Sequence, residues 1–464
     1  MSPSLSLPRL TPSQALAWLA LAAGLAILIV RPLPGGESAA LALAVACIGL
    51  WATGAVPEPV TAVIFFTAAM LLKVAPPQVV FGGFESAALW LVFGGLVMGV
   101  AVRTTGLGER IATRLSVAFG STYWGVIAGT TLIGVALGFL LPSSMGRAIL
   151  LMPIALGLAS RAGFTPGSNG HIGVVLAAAF GCHVPTFSIL PANLPNLVLV
   201  GSAETLGYAS PSYGEYLLLH FPVLGLLKTA IMVVLIVRLW PDTPRPQSAA
   251  AEGVSRPMSK AEIRLSALLA LALALWATDF LHHVSPAWVS MAAAVLLLLP
   301  GIGLVDRKDF SEKVNYGSMF YVAGIMGLGA LVGSSGLGVR LAEAILTLLP
   351  LSPGNDVGNF AGLAALSTLL GLATTLPGVP AVLTPMTAHL AEASGWPVEA
   401  VLMSQVLGFS NPILPYESAP LVVAMHLGGE RLKPARDLCL LLALISVVVL
   451  LPLDFLWWKL LGWL

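Results

Sequence analysis

Charged residues are scarce in this chain of 464 residues, making up 9% of it against 57% apolar residues. Soluble domains carry about 25% charged residues, so the composition excludes a soluble protein and predicts a polytopic membrane protein. The net charge of +1 gives no basis for binding nucleic acid. We therefore expect the lipid bilayer, and no nucleic acid, among its partners.

Cysteine and known catalytic motifs are also scarce. Cys47, Cys182 and Cys439 lie in separate apolar segments without paired spacing, so the sequence predicts neither a disulfide framework nor a metal centre. The chain has no HExxH motif, no Walker loop and no soluble domain, so metalloprotease chemistry and ATP-driven transport have no support. We expect no enzyme and no cofactor, apart from sodium as a possible coupling ion.

Long apolar runs fill the chain, and they do not alternate as barrel strands do. They predict an all-α membrane protein with about eleven transmembrane helices plus two re-entrant hairpins. Residues 241–259 form the one extended polar, proline-rich stretch and predict a linker between two halves. Loops rich in Lys and Arg fall on one side if the N-terminus is cytoplasmic, so we expect that orientation in a bacterial inner membrane.

Residues 141–147 (LPSSMGR) interrupt the apolar pattern most clearly. The apolar arms on either side are each too short to cross a bilayer comfortably, since about 20 residues are needed. Two short arms around a tip of Pro, Ser and Gly predict a hairpin that enters the membrane and turns back. Irregular backbone at that depth must lie within protein or line a watery cavity, which makes the tip a candidate site.

Three segments recur in the same order in the two halves. Residues 105–110 (TGLGER) resemble 335–340 (SGLGVR), and residues 189–198 (ILPANLPNLV) resemble 413–422 (ILPYESAPLV). Between these segments, Gly146 and Pro153 in the first half correspond to Gly378 and Pro385 in the second half. A repeat unit with an odd number of spans must be inverted in the membrane, and inverted repeats with broken helices are typical of secondary transporters.

Each half therefore offers one hairpin tip (residues 142–147 and 374–380) and one interrupted helix (residues 191–196 and 411–420). Prolines free backbone carbonyls, which suit a cation, and half-helix N-termini present N–H groups to an anion. The predicted substrate-binding residues are Ser143, Ser144, Gly146, Arg147, Asn193, Pro195, Asn196, Thr374, Thr375, Gly378, Ser418 and Pro420.

Arg147 and Glu417 are ionisable residues at these positions. A charge at membrane depth costs several kcal/mol, so such a residue is a functional candidate by default. Arg147 can bind an anion with two parallel hydrogen bonds; the alternatives are snorkelling to the surface or an ion pair with Glu204 or Glu417. We expect Glu417 to tune or carry the coupling charge, with a structural ion pair as its alternative. His183 and His389 are interpreted as packing residues.

On these residues the chain resembles the divalent anion:sodium symporter family. That family carries Ser-Asn-Thr at its two hairpin tips and Thr-Pro-Pro-Asn-like motifs at its two helix breaks. The corresponding segments here are Ser143-Ser144-Met145, Thr375-Leu376-Pro377, Asn193-Leu194-Pro195-Asn196 and Ser418-Ala419-Pro420-Leu421. Neither tip has the asparagine of the family, so the coupling ion stays open between sodium and protons.

The resemblance implies a homodimeric elevator transporter for a small anion or dianion, such as a dicarboxylate, citrate, sulfate or a sulfonate. Residues 1–118 and 260–350 would form a scaffold, and residues 119–240 and 351–464 a mobile transport domain. Any sodium would lie near Ser143, Ser144, Thr375 and Ser418. The alternatives are a cation/proton antiporter of the same superfamily and, more remotely, an intramembrane lipid-modifying enzyme.

Overall fold

The computed structural model describes residues 11–111, 114, 122–141, 143–245 and 257–464, and every regular element in these ranges is a helix. Eight of the described helices are long and apolar enough to cross a membrane, judged by length and composition. The predicted all-α polytopic fold is confirmed. Pro142 of the first tip and most of the predicted linker lie outside the described residues.

The described residues of the first half form nine main helices, two of them joined by a pair of 3₁₀ turns (Val184–Ser188 and Leu190–Ala192). They are α1 (Pro12–Val30), α2 (Glu37–Thr53), α3 (Glu58–Leu71), α4 (Ala87–Thr105), α5 (Tyr123–Leu140), α6 (Ser144–Arg161), α7 (Asn169–Gly181), α8 (Leu194–Thr205) and α9 (Tyr213–Leu239). Short helical turns also occur at Pro77–Val80 and Gly82–Phe84.

The second half repeats this order after the linker. Its helices are α10 (Lys260–Ala277), α11 (Pro286–Leu298), α12 (Tyr316–Ser334), α13 (Leu337–Leu348), α14 (Asp356–Ala373), α15 (Gly378–Leu383), α16 (Thr387–Ser394), α17 (Val398–Phe409), α18 (Ala419–Leu427) and α19 (Leu432–Leu460). Shorter helices or turns lie at Asp279–His282, Arg307–Lys313, Thr384–Met386 and Pro415–Glu417.

The repeated Gly-Leu-Gly segments have a structural cause. Gly106 caps the end of α4 with φ of 76°, and Gly336 occupies the corresponding turn after α12 with φ of 85°. Only glycine adopts this left-handed backbone without a steric cost, so both halves need it where a long span ends. The motif therefore marks the same turn twice.

Helices α5 and α6 form the first hairpin. The Tyr123 hydroxyl, at the start of α5, donates to Trp240 O at 2.5 Å, and Arg245 N donates to Ala162 O, just after α6, at 2.8 Å. Both ends of the pair therefore lie beside the end of α9, and the 141–147 turn lies at the far end. The shared base agrees with a hairpin that enters and returns on one side. The expectation that both arms are too short to cross is wrong for α5, which is long and apolar enough to span a membrane.

The second hairpin runs from α14 to α16. Trp396 Nε1 donates to Asp356 Oδ1 at 3.1 Å, and Asn359 Nδ2 donates to Ser394 O at 3.0 Å, so the hairpin ends where it began. Lys459 Nζ, near the end of α19, lies 2.5 Å from Asp356 Oδ2. The base of this hairpin therefore sits at the C-terminal end of α19.

The two hairpins enter from opposite sides. The start of α19 lies on the side of the first hairpin, because Glu430 Oε1 is 2.7 Å from His171 Nδ1 at the start of α7 and Gly170 N donates to Asp242 at 2.8 Å. Helix α19 has 29 residues, a length of about 43 Å. Hairpin bases at the two ends of one such helix mean that the halves are inverted, as predicted.

Contacts near the linker support the predicted sorting of basic loops. Arg110, after α4, donates from Nε to Glu262 Oε1 at 2.6 Å and from Nη2 to Pro257 O at 3.3 Å. The loop after α4 and the end of the linker therefore share one side. Hydrogen bonding to Glu262 raises the pKa of Arg110, so the guanidinium stays charged at physiological pH. That this side is cytoplasmic stays a prediction.

Candidate functional site

Two helix breaks lie in the core of the protein, one in each half. The first separates α7 from α8 and the second separates α17 from α18. Prolines in both breaks lack an N–H donor and cannot continue a helix. The first break begins at Cys182, earlier than the predicted start at Pro191, because Pro185 has no N–H to donate to Gly181 O and its ring would clash with that carbonyl.

Arg147 is fully buried at the first hairpin tip. Its Nε and Nη2 donate to Cys182 O at 3.0 and 2.9 Å, and its Nη2 also donates to Ser144 Oγ at 2.8 Å. Its Nη1 donates to Ala192 O at 2.9 Å and to Leu141 O. A guanidinium has five N–H donors, and the protein uses all five. One side chain thus joins the tip, the end of α7 and the break.

Neither alternative for Arg147 holds, since it does not reach the surface and does not pair with Glu204 or Glu417. The Glu204 carboxylate instead accepts from Ser86 Oγ at 2.7 Å and from Ala88 N at 3.2 Å, at the start of α4. Direct contact between Arg147 and a substrate stays a prediction, and in this conformation no N–H group remains for it.

Glu417 is buried in the second break. Its Oε1 accepts from Ile413 N at 2.9 Å and from Leu414 N at 2.6 Å, and its backbone oxygen accepts from Leu376 N at 3.3 Å. The residue thus shapes the break and ties it to the second tip. Its Oε2 accepts no hydrogen bond from the described residues. This oxygen faces Gly371, and a Cβ atom added to Gly371 would lie 3.3 Å from it.

His183 and Ser418 connect the two breaks. Ser418 Oγ and His183 Nε2 lie 2.7 Å apart, and the His183 ring packs on Phe187 with ring centres 4.7 Å apart. The interpretation of His183 as a packing residue is therefore incomplete, because its ring also bridges the halves. A lone histidine has no motif around it, so only the tertiary structure reveals this role.

Asn193 and Asn196 hold the backbone of the first break. Asn193 caps α8, accepts from Ser144 Oγ at 3.4 Å and donates to Thr186 Oγ1 at 3.2 Å. Asn196 Nδ2 donates to Thr186 O at 3.2 Å and to Ile189 O at 2.9 Å. Its Oδ1 is buried and has no hydrogen-bond partner among the described residues.

The two threonines of the second tip are used differently: the Thr375 side chain hydrogen-bonds to Tyr321 of α12, and the Thr374 hydroxyl bonds locally. Thr374 Oγ1 donates to Leu370 O at 2.8 Å and to Thr375 O at 3.1 Å, while Gly378 begins α15. Pro420 lies in the first turn of α18, as Pro195 does in α8. Substrate contact by these residues stays a prediction.

Arg103 approaches the first tip from α4. Ser143 caps α6 by accepting from Gly146 N at 3.1 Å, and a Cβ atom at Gly146 would lie 3.5 Å from Arg103 Nη1. Among the described residues, no carboxylate or hydrogen-bond acceptor holds this exposed guanidinium. In the sequence Arg103 stands at the end of an apolar run like the other basic loop residues, and no local pattern indicates its position at the tip.

Lys228 is a second fully buried cation, in α9. Its Nζ donates to Ser410 O at 2.8 Å and to Asn411 Oδ1 at 3.2 Å. Ser410 directly follows α17 as Cys182 directly follows α7, so a buried cation from the first half rests on the equivalent carbonyl in each of the two breaks. The sequence analysis missed Lys228, which lies in an ordinary apolar span.

The tips and breaks thus combine two kinds of positive feature. Two buried cations rest on uncharged carbonyl groups, and helices α6, α8, α15 and α18 begin at the tips and breaks with their positive dipole ends. Among the described residues, no group of three His, Cys, Asp or Glu side chains is placed to hold a metal ion. The arrangement suits an anion.

A family model described as "Sodium:sulfate symporter transmembrane region" matches residues 13–464. The chain belongs to this symporter family. The family predicted from the hairpin tips and helix breaks is therefore confirmed. The protein is a membrane transporter and not an enzyme.

Several relatives of this protein align with it over most of their length. A "Membrane protein" of Cupriavidus necator is 26% identical, with 97% of this chain and 94% of the relative covered. The chloroplastic dicarboxylate transporter 2.2 of Arabidopsis thaliana is 25% identical over 88% and 77%. The L-tartrate/succinate antiporter of Escherichia coli is 24% identical over 93% and 89%.

The fold is also similar to a solved transporter. The crystal structure of the YdaH transporter of Alcanivorax borkumensis superposes with a TM-score of 0.56 at 16% identity, covering 83% of this chain and 88% of the other. This likeness concerns the fold alone.

Proposed function

We propose that the protein is a secondary active transporter for small dianions. The observation that carries the proposal is that Arg147 and Lys228, both fully buried, are held by carbonyl groups and not by carboxylates. Carbonyl groups solvate these cations but leave their charge uncompensated. A buried positive charge is costly in a membrane, so an anion that binds nearby gains energy from it.

A substrate with two anionic groups fits the symmetry of the site. Each half supplies one pair of helix N-termini, α6 with α8 and α15 with α18, and an anion can bind at each pair. Dicarboxylates have this form, and the named relatives include a dicarboxylate transporter and a tartrate/succinate antiporter. The substrate-lining residues would be Ser143, Ser144, Gly146, Asn193, Pro195, Asn196, Thr374, Thr375, Gly378, Ser418 and Pro420, with Arg147 supplying charge from behind them.

Sodium is not needed at the first tip in this proposal. Sodium prefers oxygen ligands, and there the oxygens of Leu141, Cys182 and Ala192 already hold the Arg147 guanidinium. The covalently attached guanidinium of Arg147 therefore takes the place of a bound sodium ion. At the second break, Glu417 tunes the charge of the site through its Oε2, which accepts no hydrogen bond from the described residues.

The mechanism we propose is elevator-type alternating access by a homodimer in the bacterial inner membrane. Hairpins that enter from opposite sides, with tips joined to central breaks, support movement of residues 119–240 and 351–464 as one domain. An inner-membrane protein of Escherichia coli among the relatives, 25% identical, supports the location.

Uptake into proteoliposomes tests the proposal. Purified protein would be reconstituted with internal succinate or L-tartrate, and uptake of the labelled dianion would be followed with sodium or choline outside. We expect saturable uptake that needs no sodium, and competition by other dicarboxylates. Absence of dianion uptake, together with proton movement that needs no organic anion, would instead identify a cation/proton antiporter.

A further inference from the structure

A second buried polar cluster lies between α9 and α19, apart from the tips. Asp454 is fully buried, and neither of its carboxylate oxygens accepts a hydrogen bond from the described residues. His220 is also fully buried, with both ring nitrogens unpartnered, and so is the Trp458 indole nitrogen. The rings of His220 and Trp458 lie 5.9 Å apart between centres, and Trp458 is one helical turn beyond Asp454.

This cluster sits at an irregularity that both long helices share. Helix α9 contains a π-helical segment at Phe221–Leu227, and α19 contains one at Ser446–Leu450. His220 directly precedes the first segment, and Asp454 follows the second by one turn. Such segments are rare and occur frequently at functional sites, so their recurrence in the two halves indicates a shared role.

The Trp458 indole N–H faces the Asp454 carboxylate but lies outside hydrogen-bond geometry, and an ionised carboxylate held this weakly is strongly disfavoured inside a protein. The cationic group that acts on Asp454 electrostatically is Lys228, but its ammonium is hydrogen-bonded to Ser410 and Asn411, and no ion pair joins it to the carboxylate. Polar side chains buried on the packed helices also include Tyr216, His220, Cys439, Ser446 and Trp458. The hydroxyls of Tyr216 and Ser446 donate to Phe187 O and Leu442 O, and Lys459 pairs with Asp356 at the end of α19. These surroundings favour the neutral acid.

We propose that Asp454 is a proton-binding site that couples proton movement to transport. The Asp454 carboxylate binds one proton while Lys228 holds the second break. Asp454 releases that proton when the Lys228 ammonium leaves Ser410 and Asn411 and turns towards the carboxylate. The inference rests on the proposed transport function. It explains why a buried acid without a hydrogen bond lies within electrostatic range of a buried cation that contacts the break.

The direction of coupling follows from this exchange. In the conformation described here, Lys228 fixes the end of α17, and in the proposed cycle this is the state in which Asp454 carries the proton. Anion binding at the break stabilises that conformation, so the anion and the proton are bound together and cross together. The proposal therefore predicts symport of an anion with a proton.

Infrared spectroscopy on the purified full-length protein tests the protonation state without any transport assay. At neutral pH we expect a carboxylic-acid carbonyl band that shifts in heavy water and is lost in Asp454→Asn. The control Asp437→Asn changes an exposed carboxylate that pairs with Arg436, and should leave the band unchanged. A wild-type protein without such a band, or an unchanged band in Asp454→Asn, would overturn the proposal.

Transport driven by a pH gradient provides the second test. With acid outside, we expect wild-type uptake of labelled succinate or L-tartrate to rise several-fold, and this rise to be absent in Asp454→Asn. Exchange at equal pH shows whether the variant still folds and moves the anion. An equal rise in both proteins would overturn the coupling role. Failure of the wild type to move any anion would refute the proposed function, while the infrared result would still report on Asp454.

Discussion

The hydroxyl of Ser418 and Nε2 of His183 lie 2.7 Å apart and join the break of one half to the break of the other. Both side chains are buried, with 4% and 2% of their surface exposed. Ser418 immediately precedes α18, and His183 lies one residue beyond the carbonyl that holds Arg147. We therefore expect a change at one break to affect the other through this contact.

A double-mutant cycle tests this contact. We expect Ser418→Ala and His183→Ala each to lower dianion uptake about tenfold, since a buried hydrogen bond contributes about 1 to 1.5 kcal/mol. The double variant should be no worse than either single variant, because the two changes remove the same interaction. Uptake by proteoliposomes is the measurement.

The matched control for this cycle is His426→Ala. The His426 ring is exposed and bonds only within its own helix, to Val422 O at 2.9 Å. It should transport as the wild type does. If the losses of the two single variants simply add in the double variant, the two breaks do not act through this contact.

Substitution of Arg147 should affect folding as well as transport. In Arg147→Ala, three buried backbone oxygens and Ser144 Oγ lose their donors, and each unsatisfied buried group costs about 1 to 3 kcal/mol. We expect a markedly lower Tm in detergent and no uptake. Arg147→Lys keeps the charge with three donors, and should recover part of the stability.

The control for Arg147 is Arg161→Ala, in the last turn of the same helix, where the side chain is exposed. Its Tm should stay within a degree or two of the wild type, since exposed substitutions change stability by about 0.5 kcal/mol or less. A stable, fully active Arg147→Ala protein would contradict the role of a covalently attached cation.

The parts of the structure that depend on local patterns were predictable from the sequence. Apolar runs indicate the helices, Gly106 and Gly336 mark equivalent turns, and prolines mark both breaks. The partners of the buried cations were not predictable, because they depend on tertiary contacts. Lys228 meets Ser410 and Asn411 more than 180 residues further along the chain, and no sequence spacing encodes such a contact.

Glu417→Gln tests the charge at the second break. Glutamine retains an oxygen that can accept from Ile413 N and Leu414 N, so we expect the break to fold as before. Removing a negative charge near the site should lower the KM for a dianion several-fold, because repulsion between like charges disappears. An unchanged KM would show that the charge of Glu417 does not reach the substrate. Glu215→Gln, at an exposed helix start, is the control.

Arg103 should act on the approach of the anion and not on the bound state. Its exposed guanidinium stands at the first tip, and no carboxylate among the described residues neutralises it. Positive charge at the mouth of a site raises the association rate of anions, and salt screens the effect. We therefore expect Arg103→Gln to reduce kcat/KM several-fold at low ionic strength and hardly at all at high ionic strength. Arg161→Gln removes an exposed charge from the opposite end of α6 and should leave both values unchanged, whereas an equal loss in the two variants would indicate a general effect of net charge.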